Sequence, residues 1–137
     1  MQVKKEFSET QFSQFILIML NNIPQCRAIK RLASISHPGE PDITGSINGY
    51  RFEIECKLGY NRLTPMQELA IKRWKEVGVI AGMVKSISDV LMLIWPQTGR
   101  DQKISVKAFL TKKRVKALYM KHQIEDALSK LDYLQPR

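Results

Sequence analysis

The stretch PDITGSINGYRFEIECK, residues 41–57, predicts two short strands joined by a tight turn. Asn48-Gly49 lies between two alternating runs and favours a type I′ hairpin, because both central positions of that turn need a positive φ. We therefore expect strands at roughly 42–47 and 50–57. This hairpin is the centre of the predicted fold, and the rest of the chain is arranged around it.

The second strand of the hairpin has a charged side. Alternation places Glu53, Glu55 and Lys57 on that side, about 7 Å apart along the strand, and Asp42 opens the paired strand. Like charges this close disfavour each other's ionisation, so a compensating cation is expected. Lys57 supplies one positive charge, and carboxylate oxygens suit magnesium or manganese for the rest. The alternative is a solvated polar face on which Lys57 and Glu55 form an ordinary ion pair.

Two helix starts flank the hairpin in the sequence. Ser8 with Gln11, and Thr64 with Gln67, each fit a capping box, in which two side chains satisfy free N–H groups at the helix start. Apolar residues then recur at helical spacing, as Phe12, Phe15, Ile16, Met19 and Leu20 and as Met66, Leu69, Ala70, Trp74 and Val77. The apolar run 79–84 follows, and this strand–helix–strand order predicts a crossover to a parallel strand.

The remaining segments give weaker signals. Residues 26–36 are expected to be extended, and Ser88 is expected to cap a short helix through Ile94. Residues 95–101, with a proline and a glycine, are typical of a loop. A helix is expected from Thr111 onward, with a bend or a break where its apolar phase slips between residues 119 and 124.

Length, charge and cysteine content limit the class of protein. A chain of 137 residues fits one domain, and 22 Lys and Arg against 13 Asp and Glu leave a net charge of +9. This excess favours a polyanionic partner, nucleic acid before a membrane surface, although solubility alone explains it about equally well. Cys26 and Cys56 do not form a disulfide framework, and with His37 and His122 they show no zinc spacing. We expect a soluble intracellular protein, because the N-terminus lacks a signal peptide and no apolar run reaches membrane length.

Positive charge is concentrated toward the C-terminus. Residues 95–137 hold 10 Lys and Arg and 4 Asp and Glu, a net +6. The densest basic cluster is Lys112, Lys113, Arg114 and Lys116, which we expect in the first turns of a helix capped by Thr111. These side chains are candidates for sequence-independent contacts with DNA phosphates. The alternative is that this segment packs on the core or forms a dimer contact through Val115, Leu118 and Tyr119.

Taken in order, these motifs resemble the PD-(D/E)XK nuclease superfamily, and within it the virus-type replication–repair nucleases (VRR-NUC). That family's pattern is a helix with an early Glu, then G-x-P-D, a strand ending in E-x-K, and a helix opening with S/T-P-x-Q. The chain offers Glu9, Gly39-Glu40-Pro41-Asp42, Glu55-Cys56-Lys57 and Thr64-Pro65-Met66-Gln67, followed by Gly78-Val79 and Ser88-Asp89-Val90. The resemblance covers roughly residues 6–94, and Glu6 is an alternative to Glu9.

The resemblance implies a fold and a set of roles. The fold would be α/β, with a mixed central sheet flanked by helices in residues 1–94 and a basic, mainly helical extension of the same domain in residues 95–137. Asp42, Glu55, the backbone carbonyl of Cys56 and Glu9 would hold Mg²⁺, with Mn²⁺ able to substitute. Lys57 would orient or deprotonate the attacking water, and Gln67 would help to position the water or the lysine. Gln67 could instead serve only in the capping box.

The implied activity is that of a magnesium-dependent DNA endonuclease. Small members of the family resemble structure-selective nucleases that act as homodimers on branched DNA such as four-way (Holliday) junctions, in the cytoplasm of a bacterial or phage-infected cell. The alternative is a basic DNA-binding protein that keeps this fold without cutting. A sequence-specific restriction-type nuclease ranks lower, because residues 95–137 are too few for a separate recognition domain.

Overall fold

The computed structural model describes residues 7–32 and 38–134, apart from the side chain of Val115. The helices are α1 (Glu9–Asn21), α2 (Pro65–Glu76), α3 (Ile87–Ile94), α4 (Arg100–Lys116) and α5 (Lys121–Leu134). The strands are β1 (Cys26–Lys30), β2 (Ile43–Ile47), β3 (Tyr50–Cys56) and β4 (Ile80–Val84). Among the described residues, no helix is both long enough and apolar enough to cross a bilayer.

The four strands form one mixed sheet in the order β1-β2-β3-β4. β1, β2 and β3 pair antiparallel, whereas β4 pairs parallel to β3 after the crossover through α2. The predicted hairpin is confirmed, because Asn48 and Gly49 both have positive φ, at 51° and 83°. The predicted α/β architecture, a mixed sheet flanked by helices, is therefore confirmed at this level.

One hydrophobic core lies between the sheet and the helices. The first helix contributes its predicted apolar stripe, and the sheet contributes side chains such as Ile43 and Ile54. The C-terminal segment joins the same core through apolar side chains of α4, of α5 and of the short segment between them, such as Val106, Ile124 and Met120. Residues 95–134 therefore pack on the sheet-bearing part of the chain. Packing on the core was one of the alternatives for this segment.

Both predicted capping boxes are present, but the prediction that Ser88 caps α3 is wrong. The N-cap of α3 is Ser86, whose hydroxyl accepts from the N–H of Asp89. Ser88 lies inside the helix and is buried, and its hydroxyl donates to Asp126 Oδ2 at 2.6 Å. The local sequence does not distinguish Ser86 from Ser88 as the N-cap. Ser88 is instead buried by its tertiary contacts.

The prediction that Thr111 caps a helix is also wrong. α4 begins at Arg100, inside the segment expected to be a loop, and Thr111 Oγ1 donates to Lys107 O within the helix at 2.8 Å. The basic cluster consequently lies in the last turns of α4, not the first. The predicted break is confirmed, because a short 3₁₀ segment at Leu118–Met120 separates α4 from α5.

Candidate metal centre

The hairpin register brings two acidic side chains together. Ile43 in β2 lies opposite Ile54 in β3, so Asp42 lies opposite Glu55 at the end of the hairpin. The backbone N–H of Cys56 donates to Asp42 Oδ2 at 3.1 Å and holds the Asp42 carboxylate against β3. The predicted association of Asp42 with Glu55 is therefore present in the structure.

Glu55 is a buried acid that lacks one hydrogen-bond partner. Its side chain is 3% exposed, and Gln67 Nε2 donates to its Oε1 at 2.9 Å. Its Oε2 is buried and accepts no hydrogen bond from any described residue. A buried, ionised carboxylate oxygen without a donor is costly, so this atom requires either a proton, which Asp42 can accept in a hydrogen bond, or a cation.

The pKa of Glu55 is raised to about 8, and burial of the carboxyl group is the largest cause. The neighbouring Asp42 contributes to this rise, because it can accept a hydrogen bond from protonated Glu55 and because its negative charge opposes ionisation. The charge of Lys57 lowers the same pKa, but by less. Without a cation, Glu55 therefore holds a proton at neutral pH, and a metal ion would take the place of that proton.

Gln67 has two roles at the start of α2. Its backbone N–H donates to Thr64 Oγ1 at 3.2 Å, and its side-chain oxygen accepts from the Thr64 N–H at 2.9 Å. The amide nitrogen of the same side chain remains available and donates to Glu55. Gln67 thus takes part in the capping box and also orients the carboxylate of Glu55. The alternative that Gln67 serves only in the capping box is therefore wrong.

A pocket of about 180 Å³ opens beside the paired acids. It is lined by Glu9, Thr10, Ser13, Lys30, Asp42 and Cys56. Glu9 therefore shares a pocket with Asp42, although its carboxylate accepts a hydrogen bond from Asn61. Among the described residues, no group of three or more His, Cys, Asp and Glu side chains could hold a metal ion. The site thus consists of two adjacent carboxylates, and Glu9 lines the same pocket as Asp42. Glu6 and His37 lie outside the described residues.

The second strand does not present a solvated acidic face. Glu53, which alternation places on the charged side of the strand, is fully buried. It accepts two hydrogen bonds from Arg31 at 2.5 and 3.0 Å, two from Arg51 at 3.0 and 2.8 Å, and one from Thr44 at 2.7 Å. Within the described part of the chain, Lys57 and Glu55 form no ion pair within 4.0 Å. The solvated-face alternative is therefore wrong.

The Glu53 network also holds the segment that carries Asp42. Arg31, fixed by Glu53, donates from its guanidinium to Pro41 O at 2.9 Å and from its backbone N–H to Asp42 O at 2.7 Å. Arg31 and Lys30 were not identified from the sequence as site residues. Their position depends on β1 pairing with β2, and the imperfect alternation of residues 26–36 did not give that register.

The basic cluster at the end of α4 does not line the pocket that contains Glu9 and Asp42. Lys112, Arg114 and Lys116 are exposed, and Lys113 lies with its Nζ 5.7 Å from the ring of Phe109. At the other end of α4, Gln102 donates to Pro24 O, just beyond the end of α1. Phe7, just before α1, contacts Tyr119, just after α4, with ring centroids 6.2 Å apart. α4 is thus antiparallel to α1, and its basic end is close to the end of α1 that carries Glu9.

Comparison of the chain with models of known families, with curated proteins and with solved structures finds no match. The functional conclusion therefore depends on the geometry of the paired acids and on the charges around them. Of these features, the buried oxygen of Glu55 without a donor is the strongest indication of a functional site, because ordinary packing does not require such an atom.

The raised pKa of Glu55 predicts how the metal-free protein responds to pH. The folded state keeps a proton that the unfolded state loses above pH ~4.3, so unfolding releases a proton up to about pH 8. In EDTA, the free energy of unfolding should therefore fall as pH rises across this window, by no more than about 1.4 kcal/mol per pH unit. In Glu55→Gln this contribution should be absent, which urea titrations at several pH values would show.

Glu76→Gln is the matched control, because Glu76 is exposed at the end of α2. Its pH profile should follow that of the wild type. Parallel profiles for the wild type and Glu55→Gln between pH 5 and 8 would contradict the predicted protonation of Glu55.

Proposed function

We propose that this protein is a divalent-metal-dependent DNA endonuclease of the PD-(D/E)XK type, similar to the VRR-NUC nucleases. The observation that carries the proposal is the buried, unsatisfied Oε2 of Glu55 beside Asp42. The order of the elements supports it: a helix that starts at Glu9, a strand that ends in Glu55-Cys56, a helix opened by Thr64-Pro65 and a last parallel strand.

The residues present fit a magnesium or manganese ion. Asp42 and Glu55 would hold it, with the backbone carbonyl of Cys56 and Glu9 as further ligands. Mg²⁺ commonly binds through one or two carboxylates and keeps several waters, so a site with two adjacent carboxylates is sufficient. Burial raises the pKa of the Cys56 thiol and keeps the sulfur protonated. The backbone carbonyl of Cys56, and not its sulfur, would therefore be the metal ligand. When bound, the ion would lower the pKa of a coordinated water and neutralise phosphate charge.

The protein side chains divide the remaining tasks. Cys56 N–H orients Asp42, and Gln67 orients Glu55, so neither carboxylate has to be ordered when substrate binds. Lys57, whose charge acts on Glu55, would orient or deprotonate the attacking water. Its backbone is fixed by the hydrogen bond from Lys57 N–H to Val84 O at 3.0 Å, which continues the parallel ladder.

The alternative is a basic DNA-binding protein that does not cut. Such a protein gains nothing from two adjacent carboxyl groups that cannot both ionise without a cation. Ionised Glu55 with its second oxygen unsatisfied would lower stability by roughly 1–3 kcal/mol. The presence of Glu55 beside Asp42 is explained by a reaction that uses the pair, and we therefore favour the catalytic proposal.

DNA would be held outside the acidic pocket. The exposed basic side chains at the end of α4 are candidates for this contact, and we propose that a duplex bound there extends to the pocket. We propose branched DNA, including four-way junctions, as the preferred substrate, a preference that rests on the family resemblance. Because one site cuts one strand, we also propose that two copies act together as a homodimer.

Cleavage assays would test the activity and the role of Lys57. Labelled four-way junction, flap and linear duplex would be incubated with the protein in Mg²⁺ or in EDTA. We expect metal-dependent cleavage that Asp42→Asn abolishes and that Lys57→Ala slows by at least about 100-fold, because proton transfer by a positioned group contributes that much. DNA binding by Lys57→Ala should stay close to that of the wild type.

Lys72→Ala is the matched control, since it removes an exposed lysine from α2. It should cleave at the wild-type rate. Metal-independent cleavage, or no cleavage of any of the three substrates, would contradict the proposed activity. A wild-type rate for Lys57→Ala would contradict its role alone.

The basic end of α4 can be tested through the salt dependence of binding. Alanine at Lys112, Lys113 and Arg114 should flatten the dependence of log Kd on log salt by roughly 0.9 per lost phosphate contact on duplex DNA. Fluorescence anisotropy in EDTA at several salt concentrations would measure it. The control removes three exposed charges from α2: Lys72, Arg73 and Lys75. Equal slopes for the wild type and the α4 variant would show that DNA phosphates do not contact this end of α4.

Sedimentation would test the homodimer. Equilibrium runs at micromolar protein, with and without a four-way junction in Ca²⁺, should give twice the mass of the 15.8 kDa chain in the protein component. A single protomer per junction at high micromolar protein would reject the dimer, and the cleavage proposal would be unaffected.

A further inference from the structure

We propose that Lys30 is a second cationic residue of the candidate active site and contacts the phosphate group being cleaved. This inference rests on the proposed nuclease function, but it concerns a residue outside the E-x-K motif. Lys30 ends β1 and lines the pocket of about 180 Å³ together with Glu9, Asp42 and Cys56.

The ammonium group of Lys30 is fixed in position by the first helix. Lys30 Nζ donates to Ser13 Oγ at 3.1 Å, and Ser13 Oγ donates in turn to Thr10 O at 3.1 Å. Ser13 is buried, at 3% exposure, although serine is usually found on protein surfaces. A buried serine on α1 thus holds the lysine beside the pocket.

Lys30 is not used in an ion pair with the acids around it. Within the described part of the chain, no carboxylate oxygen lies within 4.0 Å of its Nζ. An ammonium group has three donors, and Ser13 takes one of them. Two donors are therefore left for a ligand that enters the pocket.

The charge of Lys30 indicates what that ligand is. In a pocket whose only ligand is a divalent cation, an ammonium group would lower the affinity for that cation, because like charges repel. A phosphodiester reverses the sign of this interaction, since its non-bridging oxygens accept charge-assisted hydrogen bonds. Lys57 acts on Glu55 from the end of β3, whereas Lys30 lines the pocket from β1. The two lysines therefore serve different atoms: Lys57 the attacking water, and Lys30 a non-bridging phosphate oxygen.

A simpler role would be to balance the charges of Glu9 and Asp42 in the metal-free protein. The two roles predict different behaviour for Lys30→Met, which removes the charge and keeps an apolar stem. Charge balance alone predicts tighter metal binding and unchanged cleavage. A phosphate contact predicts metal binding at least as tight as in the wild type together with slower cleavage.

The experiment measures both properties in four proteins: the wild type, Lys30→Met, Lys30→Arg and Arg27→Met. Arg27→Met is the matched control, because it removes one exposed charge from the same strand at a position of opposite alternation. Calorimetry would give the Mn²⁺ affinity, and single-turnover cleavage of a four-way junction in Mg²⁺ at saturating protein would give the rate. We expect Lys30→Met to cleave at least 10-fold more slowly while it binds Mn²⁺ as tightly as the wild type or tighter. Lys30→Arg should recover most of the rate, and Arg27→Met should match the wild type.

Cleavage by Lys30→Met within two-fold of the wild-type rate would overturn the inference and leave the proposed function intact. If the wild type itself does not cleave, the proposed function fails, and the phosphate contact is then judged by binding alone. Calorimetry with a thymidine dinucleotide and the Ca²⁺-loaded protein gives that measurement: at least five-fold weaker binding by Lys30→Met supports the contact, and equal binding overturns it. Thermal melting identifies misfolded variants, and Lys30→Gln replaces Lys30→Met if the latter does not fold.

Discussion

The buried carboxylate of Glu53 fixes the arrangement of three strands and of the segment that carries Asp42. A fully buried charge is strongly unfavourable unless it is paired and hydrogen-bonded, and Glu53 is satisfied by Arg31 after β1, Thr44 on β2 and Arg51 on β3. Removal of both guanidinium groups would leave the Glu53 charge unpaired in the interior. Because Arg31 also binds the carbonyls of Pro41 and Asp42, the same network determines where the Asp42 carboxylate stands.

Two acids on the same strand, two residues apart, differ in how they are satisfied. Glu53 accepts five hydrogen bonds from described residues and is compensated by two guanidinium groups. Glu55 receives one donor, from Gln67, and faces a second acid instead of a cation. The first arrangement stabilises the sheet, and the second leaves one buried oxygen of Glu55 without a donor among the described residues. This contrast separates the structural acid from the candidate functional acid, although alternation alone assigns both to one face.

Local sequence signals predicted the elements whose geometry is determined locally. Asn48-Gly49 sets the hairpin through backbone conformation, and the boxes at Ser8 and Thr64 set two helix starts through short-range hydrogen bonds. The association of Asp42 with Glu55 follows from the hairpin register. The start of α4 was missed because Gln102 caps it while bonding to Pro24 and Asn48, far away in sequence. The burial of Glu53 and the place of Lys30 depend likewise on the β1–β2 pairing, which no local pattern specifies.

Under the proposed function, the protonation of Glu55 would also affect how the pocket meets DNA. At neutral pH the proton on Glu55 reduces the negative charge next to Asp42, so the metal-free pair repels a phosphate less than two ionised carboxylates would. A metal ion would have to displace that proton, so metal affinity would rise with pH up to about pH 8. A divalent ion would replace the single charge of the proton by two, and the ionised pair with its ion would be neutral. In either state the pair would therefore repel a phosphate less than two ionised carboxylates without an ion.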